Sequence, residues 1–384
     1  MNTLAIFTTT RAEFGLLSPL IKKLEKESGL NYKLFVGGAH LTSTQGQTIE
    51  EIKEEGFTIT ETFDYLSVDN TIFGLSNSLA TETTQISSIF EKHDFDFACV
   101  PGDRYELLPI VQTAILYRKP IIHIHGGEAT QGAIDEQIRH MITKAAHIHF
   151  ASCKEYYQNI RKMGEQDWRV FNTGALTVEN IQELANITKT ELFKDLGLNT
   201  SEKTILMTYH PVTLETQISA KEQIQNVFDA IEAYDLQVVI TAPNMDSENN
   251  IILDEINKRK ENNKYRFVPS LGAKKYLSLL RYVEFVIGNS SSGILEVPYF
   301  KVPTINIGKR QDGRIRHRSI IDCDYDKASV SQSIDKSLST NFRESLRDMD
   351  YKFGDGTASK KMIEAIKSVK DRKDLMIKKL DFPC

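Results

Sequence analysis

The chain has 384 residues, with 47 Lys plus Arg against 52 Asp plus Glu and a formal net charge of −5. That balance argues against a nucleic-acid protein, which gathers a basic excess on one face. At 40% hydrophobic and 26% charged residues the composition is that of a globular enzyme, not of a disordered chain, and a prior of about 150 residues per domain gives two to three domains.

The first apolar run, residues 4–7, meets Thr8-Thr9-Thr10-Arg11 at once. It is too short for a secretory signal, which also needs a basic start. No apolar run approaches the roughly 18 to 20 residues of a membrane helix. The expected place is the cytoplasm, with no membrane partner. Cys99, Cys153, Cys323 and Cys384 are far apart and predict neither a disulfide framework nor a zinc knuckle.

Short β-branched and aromatic runs follow in chain order at 4–8, 32–37, 95–101, 120–125, 147–151 and 170–173, then at 204–209, 237–241, 266–269, 284–288 and 303–307. Each ends in a turn-forming or polar residue and gives way to a helix-like pattern, such as 16–27 and 221–233, with apolar residues three and four apart. Near-continuous apolar strands alternating with helices predict parallel sheets covered on both faces. The fold class is α/β, with two Rossmann-like, doubly wound domains. The boundaries are placed at 1–176, 177–358 and a terminal helix, 359–384, returning toward the first domain. In such sheets ligands sit beyond the carboxyl ends of the strands, which directs attention to the strand-end loops and to a cleft between the domains.

Those loops hold the unusual residues. Thr8-Thr9-Thr10-Arg11 leaves the first strand, and a guanidinium there suits a diphosphate. Gly288-Asn289-Ser290-Ser291-Ser292-Gly293 lies between a strand and a helix start, where hydroxyls and unpaired N–H groups suit a phosphate, with Glu296 placed for ribose hydroxyls. The loop Gly308-Lys309-Arg310-Gln311-Asp312-Gly313-Arg314 adds positive charge. Neither a dinucleotide fingerprint nor a P-loop is present, so no cofactor is expected. Acid–base candidates are Gly102-Asp103-Arg104, the turn His123-Ile124-His125-Gly126-Gly127-Glu128, and Asp135-Glu136 with Arg139-His140. Carboxylates sharing one site split into proton donor and acceptor. His123 with His125, and His147 with His149, alternate along strand faces, yet no third ligand follows at fixed spacing, so no metal is expected. His210-Pro211 ends the first strand of the second half and would face the ligand from the other side.

Taken together and in this order, these motifs, with Thr10-Arg11-Ala12-Glu13 and Asn306-Ile307-Gly308, resemble the hydrolysing UDP-N-acetylglucosamine 2-epimerases, over about residues 4–360. The resemblance implies a glycosyltransferase-B type fold with UDP-sugar between the domains, conversion of UDP-N-acetylglucosamine and water to N-acetylmannosamine and UDP by way of a glycal, and a homodimer or homotetramer. It implies catalytic roles for Asp103 and Asp135. It places Arg11, His210, Ser290, Ser291, Glu296 and Arg314 at the nucleotide, and Arg104, Arg139, Asn289, Ser292 and Gly293 are counted with them. Many members carry Glu where this chain has His125, so His125 or Glu128 takes over that role. The rival readings are the same mechanism on a UDP-2,4-diacetamido-trideoxyhexose, prompted by residues 130–134, a non-hydrolysing epimerase, disfavoured by His210-Pro211-Val212-Thr213, a glycosyltransferase of the same fold, and an inactive nucleotide-sugar binder.

Overall fold

Alternate residues of the central strands are buried on opposite faces, which is why helices are needed on both sides. Along β1 (Asn2–Thr8), Leu4 and Ile6 enter one apolar cluster while Ala5 and Phe7 enter another. The computed structural model describes residues 2–42, 48–67, 69, 71–129, 134–211, 218–243, 249–369 and 371–383. It divides into two compact units, Met1–Glu179 with Phe353–Cys384, and Asn180–Lys352. The chain thus leaves the first unit three residues after the expected 176 and rejoins it six before the expected 359.

In the first unit, β1 is joined by β2 (Leu30–Gly37), β3 (Ile59–Phe63), β4 (Phe97–Pro101), β5 (Ile121–Ile124), β6 (Ile148–Ala151) and β7 (Val170–Asn172). All pair in parallel in the order β3-β2-β1-β4-β5-β6-β7. The direction of winding reverses between β1 and β4, so the loops after these two strands flank the switch point where α/β sheets bind ligands. Helix Arg11–Leu24 starts with a capping box: Thr10 Oγ1 accepts from Glu13 N–H while Glu13 reaches back to Thr10 N–H. Its Leu17, Leu20 and Ile21 share a cluster with Met362, Ile363 and Ile366 of helix Ala358–Val369. The terminal helix is therefore part of the first core.

The second unit holds β8 (Thr204–Thr208), β9 (Gln237–Ile240), β10 (Tyr265–Phe267), β11 (Val286–Gly288), β12 (Thr304–Ile307) and β13 (Ile320–Cys323). They pair in parallel as β10-β9-β8-β11-β12-β13, with the switch point between β8 and β11. Ile205 and Met207 pack on one face of β8 and Leu206 on the other.

All eleven predicted strands are present. Two strands were not predicted, β3 and β13, and both lie at sheet edges. Their sequences, Ile-Thr-Glu-Thr-Phe and Ile-Ile-Asp-Cys, are only partly buried and lack the continuous apolar run that marks a central strand. Two placements need correcting: β6 starts at Ile148, so His147 precedes the strand that holds His149, and β5 stops at Ile124, so that His125 lies beyond it with φ of 65°. His123 and His125 therefore do not alternate on one strand. Cys99, Cys153 and Cys323 are free thiols, and Cys384 lies outside the described residues. No described helix is long and apolar enough to cross a membrane.

Candidate functional site

In the first unit the acid–base candidates collect after β4 and β5. Asp103 follows Gly102, whose left-handed φ of 77° turns the chain away from β4. Its carboxylate Oδ2 accepts from Arg139 Nη2, and the Arg139 side chain is only 4% exposed. Arg139 sits on helix Ile134–Ala145, one turn beyond Asp135, so one helix presents Asp135 and grips Asp103. Arg139, expected among the nucleotide contacts, is here buried on a carboxylate.

His125 occupies a left-handed conformation that costs a non-glycine residue free energy and often marks a functional turn. Its Nδ1 lies 2.7 Å from Glu128 Oε1, which also accepts from Ser152 Oγ at 2.8 Å. With the Glu128 carboxylate as acceptor, Nδ1 carries a proton, and Nε2 is the ring nitrogen turned away from the carboxylate. That atom is enclosed and has no hydrogen-bond partner among the described residues. The pair has the form of a carboxylate-oriented base.

The other expected phosphate cations of this unit are already paired. Arg104 donates to Glu106 at 2.7 Å, and that carboxylate is buried. Arg11 pairs with Glu51 at 3.0 Å with both side chains about half exposed. An exposed pair contributes roughly 0 to 1 kcal/mol, so Arg11 exchanges partners far more cheaply than Arg104 or Arg139.

In the second unit, residues after β8, β11 and β12 meet. Asn289, fully buried, accepts from His210 N–H at 2.7 Å and donates to His210 C=O at 2.8 Å. Its side chain stitches two strand ends together and is not offered to a ligand, contrary to expectation. Gly293 also differs: a Cβ there would lie 2.7 Å from Thr304 Cγ2, so this glycine serves packing on β12. The expected helix start is a four-residue turn, Ser292–Leu295, running into a 3₁₀ turn, Val297–Phe300. Its macrodipole is correspondingly small. Any anion affinity must come from local groups. Among the described residues, the N–H groups of Ser290, Ser291 and Ser292 make no backbone hydrogen bond, whereas those from Gly293 to Glu296 are used within the turn.

Ser292 Oγ lies 2.5 Å from Tyr276 Oη. Glu296 Oε2 is enclosed without a partner among the described residues, and desolvation raises the carboxyl above its usual range, countered by the Ser292 hydroxyl and the Arg314 charge. Arg310 donates to Asn289 C=O at 3.1 Å. Burial, aided by Arg310, pushes His210 down to about 4, so its imidazole is neutral at pH 7. No motif singles out Tyr276 or Thr143, although the spacing of four between Arg139 and Thr143 is visible in the sequence. Residues 130–133 and 212–217 lie outside the described residues. Among those described, no group of three His, Cys, Asp or Glu could hold a metal.

The family described as UDP-N-acetylglucosamine 2-epimerase matches residues 22–367. The chain is 36% identical over 345 residues to the GDP/UDP-N,N'-diacetylbacillosamine 2-epimerase (hydrolyzing) of Campylobacter jejuni, covering 89% of this chain and 88% of that one. It is 32% identical over 373 residues to the Polysialic acid biosynthesis protein P7 of Escherichia coli, covering 97% and 94%. In fold it resembles the UDP-GlcNAc 2-epimerase of Neisseria meningitidis bound to UDP-GlcNAc, with a TM-score of 0.82 at 16% identity over 96% of this chain and 100% of that one. Two parallel sheets of this order, the strand-end residues and these matches lead to one conclusion: the chain belongs to the UDP-N-acetylglucosamine 2-epimerase family.

Proposed function

We propose that this protein is a hydrolysing UDP-sugar 2-epimerase. The observation that carries the reading is the pairing of Asp103 with buried Arg139, one turn from Asp135, with the His125–Glu128 pair following the adjacent strand. Inversion at C2 requires a proton to leave one face and another to return on the opposite face, so a single acid–base group does not suffice. The C2 proton is not adjacent to a carbonyl, and direct abstraction by a carboxylate is too slow. Loss of UDP from C1 solves this. Positive charge growing at C1 acidifies C2–H, a carboxylate takes that proton, and the C1–O electron pair departs with the diphosphate. A 2-acetamidoglycal results. Water then adds, its oxygen to C1 and a proton to C2 from the other face.

Asp103 and Asp135 are assigned the C2 proton transfers, and His125 Nε2, oriented by Glu128, the water. In the second unit, Ser290, Ser291, Arg310 and Arg314 are assigned the diphosphate, whose charge grows as the bond breaks. Neutral His210 donates one hydrogen bond there, and the open acceptor of Glu296 takes ribose hydroxyls. Arg11 is the cation of the first unit free to exchange Glu51 for phosphate.

The hydrolysing outcome is supported by the Campylobacter relative. That relative also favours a UDP-2,4-diacetamido sugar of the N,N'-diacetylbacillosamine type as substrate. UDP-N-acetylglucosamine is the second reading, supported by the family description and the polysialic acid relative. Each sugar is incubated with the protein in deuterated water and followed by NMR. The expected products are UDP and the free 2-epimer carrying deuterium at C2, faster from the diacetamido sugar. A UDP-linked 2-epimer would replace hydrolysis by simple epimerisation, and no turnover of either sugar would leave only a binder.

A further inference from the structure

The conformation that presents Asp103 depends on more than Arg139. Gly102 N–H donates to Ile124 C=O at 2.8 Å, and His123 Nε2 lies 2.7 Å from Gly102 C=O. A carbonyl only accepts, so Nε2 carries the proton and Nδ1 carries the lone pair. Thr143 Oγ1, 3.2 Å from Nδ1, is therefore the donor. His123 and Thr143 are both fully buried. The chain Thr143 to His123 to Gly102 runs in one direction, from a helix hydroxyl through a fixed tautomer to the backbone just before Asp103.

Gly126 closes over this chain. A Cβ at Gly126 would lie 2.9 Å from His123 Nδ1 and 3.1 Å from Thr143 Oγ1. The turn bearing His125 thus rests on the same hydrogen bond that steadies the Asp103 loop. Asp135, Arg139 and Thr143 are four residues apart on helix Ile134–Ala145. Spacing of four puts them on one stripe of that helix.

We propose that Thr143 and His123 are positioning residues that hold Asp103, through the Gly102 carbonyl, in fixed register with Asp135 and the His125 turn. The relay runs in this direction in the neutral imidazole; a proton on Nδ1 would turn the Thr143 hydroxyl from donor to acceptor. Burial first, and then the neighbouring charges of His149, Arg139 and His125, oppose that proton and push His123 down to about 3, countered only by the Gly102 hydrogen bond.

This inference rests on Asp103 being an acid–base group, and the test separates the two claims. Thr143→Val removes the hydroxyl at nearly constant volume, and Thr143→Ser keeps it. Turnover is measured with UDP binding by calorimetry and the melting temperature. Thr143→Val is expected to lower kcat about tenfold, the scale of a small misplacement of a reacting group, with KM and UDP affinity within about twofold. Thr143→Ser is expected to restore kcat. Combined with Asp103→Asn, the Thr143→Val loss is expected to vanish, because both act through one group. Independently of activity, the imidazole 15N signals of His123 are expected to report the neutral Nε2–H form from pH 5 to 8 and to shift in Thr143→Val. Unchanged kcat in Thr143→Val, equal loss in Thr143→Ser, or the Nδ1–H tautomer would overturn the relay. Full activity in Asp103→Asn would instead overturn the function on which it rests. Should Thr143→Val not fold, Thr143→Ala and the His123 signals in the parent protein decide the matter.

Discussion

At the switch point of the first sheet the polar groups are bonded to one another, each pair with at least one buried member: Asp103 to Arg139, Arg104 to Glu106, His123 to Thr143 and Gly102, His125 to Glu128. At the switch point of the second sheet the groups are hydroxyls, N–H groups without a backbone partner and an open carboxyl oxygen on a short turn, with the Asn289–His210 stitch and the Gln311 bond to Asn289 C=O buried behind them. The first arrangement holds a few charged atoms at set positions, as proton transfer requires. The second leaves hydrogen-bonding capacity unspent, as ligand binding requires. One architecture carries both because the sheet only chooses which loops converge, while the residues on those loops choose the chemistry.

The sharpest way to break this contrast is one substitution on each side. Asp103→Asn is expected to lower kcat by about 10²- to 10⁴-fold and to leave UDP affinity within about twofold. Glu296→Gln, which keeps the shape but not the acceptor strength, is expected to raise KM about tenfold with a much smaller change in kcat. Steady-state kinetics and UDP calorimetry on the two proteins check this, and equal effects on KM would erase the distinction.

A second contrast concerns pH. Burial pushes His40, His147 and His149 in the first unit down to about 4 and His123 to about 3, and His210 in the second to about 4. A histidine lowered on folding contributes its full stability above the unfolded value near 6.5 and loses it as pH falls toward the folded value. Two buried acids of the first unit act in the opposite sense. Desolvation raises Glu13 to about 7 and Glu82 to about 9, so their contribution is complete below about 4.5 and is lost as pH rises through those values. Below about 6.5 the four histidines outweigh the two acids; above it the acids lose their contribution, opposed from about 8 upward by Lys378, which burial lowers to that value. Urea unfolding followed by the single tryptophan, Trp168, which reports the first unit, is expected to be most resistant near pH 6.5 and to weaken in both directions. A midpoint constant from pH 5 to 9 would show that these groups are hydrated.

The smallest expected effect is Thr10→Ala. Removing the capping hydroxyl from helix Arg11–Leu24 is expected to cost about 1 kcal/mol in the same urea titration. Glu13 retains its bonds to Thr9, so the helix start should survive.

The sequence by itself determined the class of fold and marked the strand-end turns on which the proposed chemistry is placed. Its apolar runs alternate with amphipathic stretches because a parallel strand must be apolar on both faces, and that demand is local enough to read from periodicity. The edge strands β3 and β13 escaped because half their surface answers to no such demand. The turns bearing Asp103, His125, His210 and Ser290 were legible for a similar reason, since glycine, serine and histidine clustered at strand ends serve few local needs. Tertiary structure alone decided how the polar side chains were shared out. Arg139 looked available for a phosphate until the order of β4 and β5 and the placing of one helix set it on Asp103. Asn289 looked like a ligand contact until β11 lay beside β8 and left His210 as its partner. Thr143 showed no function until His123 and Gly102 met it. A hydrogen bond or ion pair needs two groups brought within about 3 Å of each other, and for residues distant in the chain only the packing of the sheet supplies that distance.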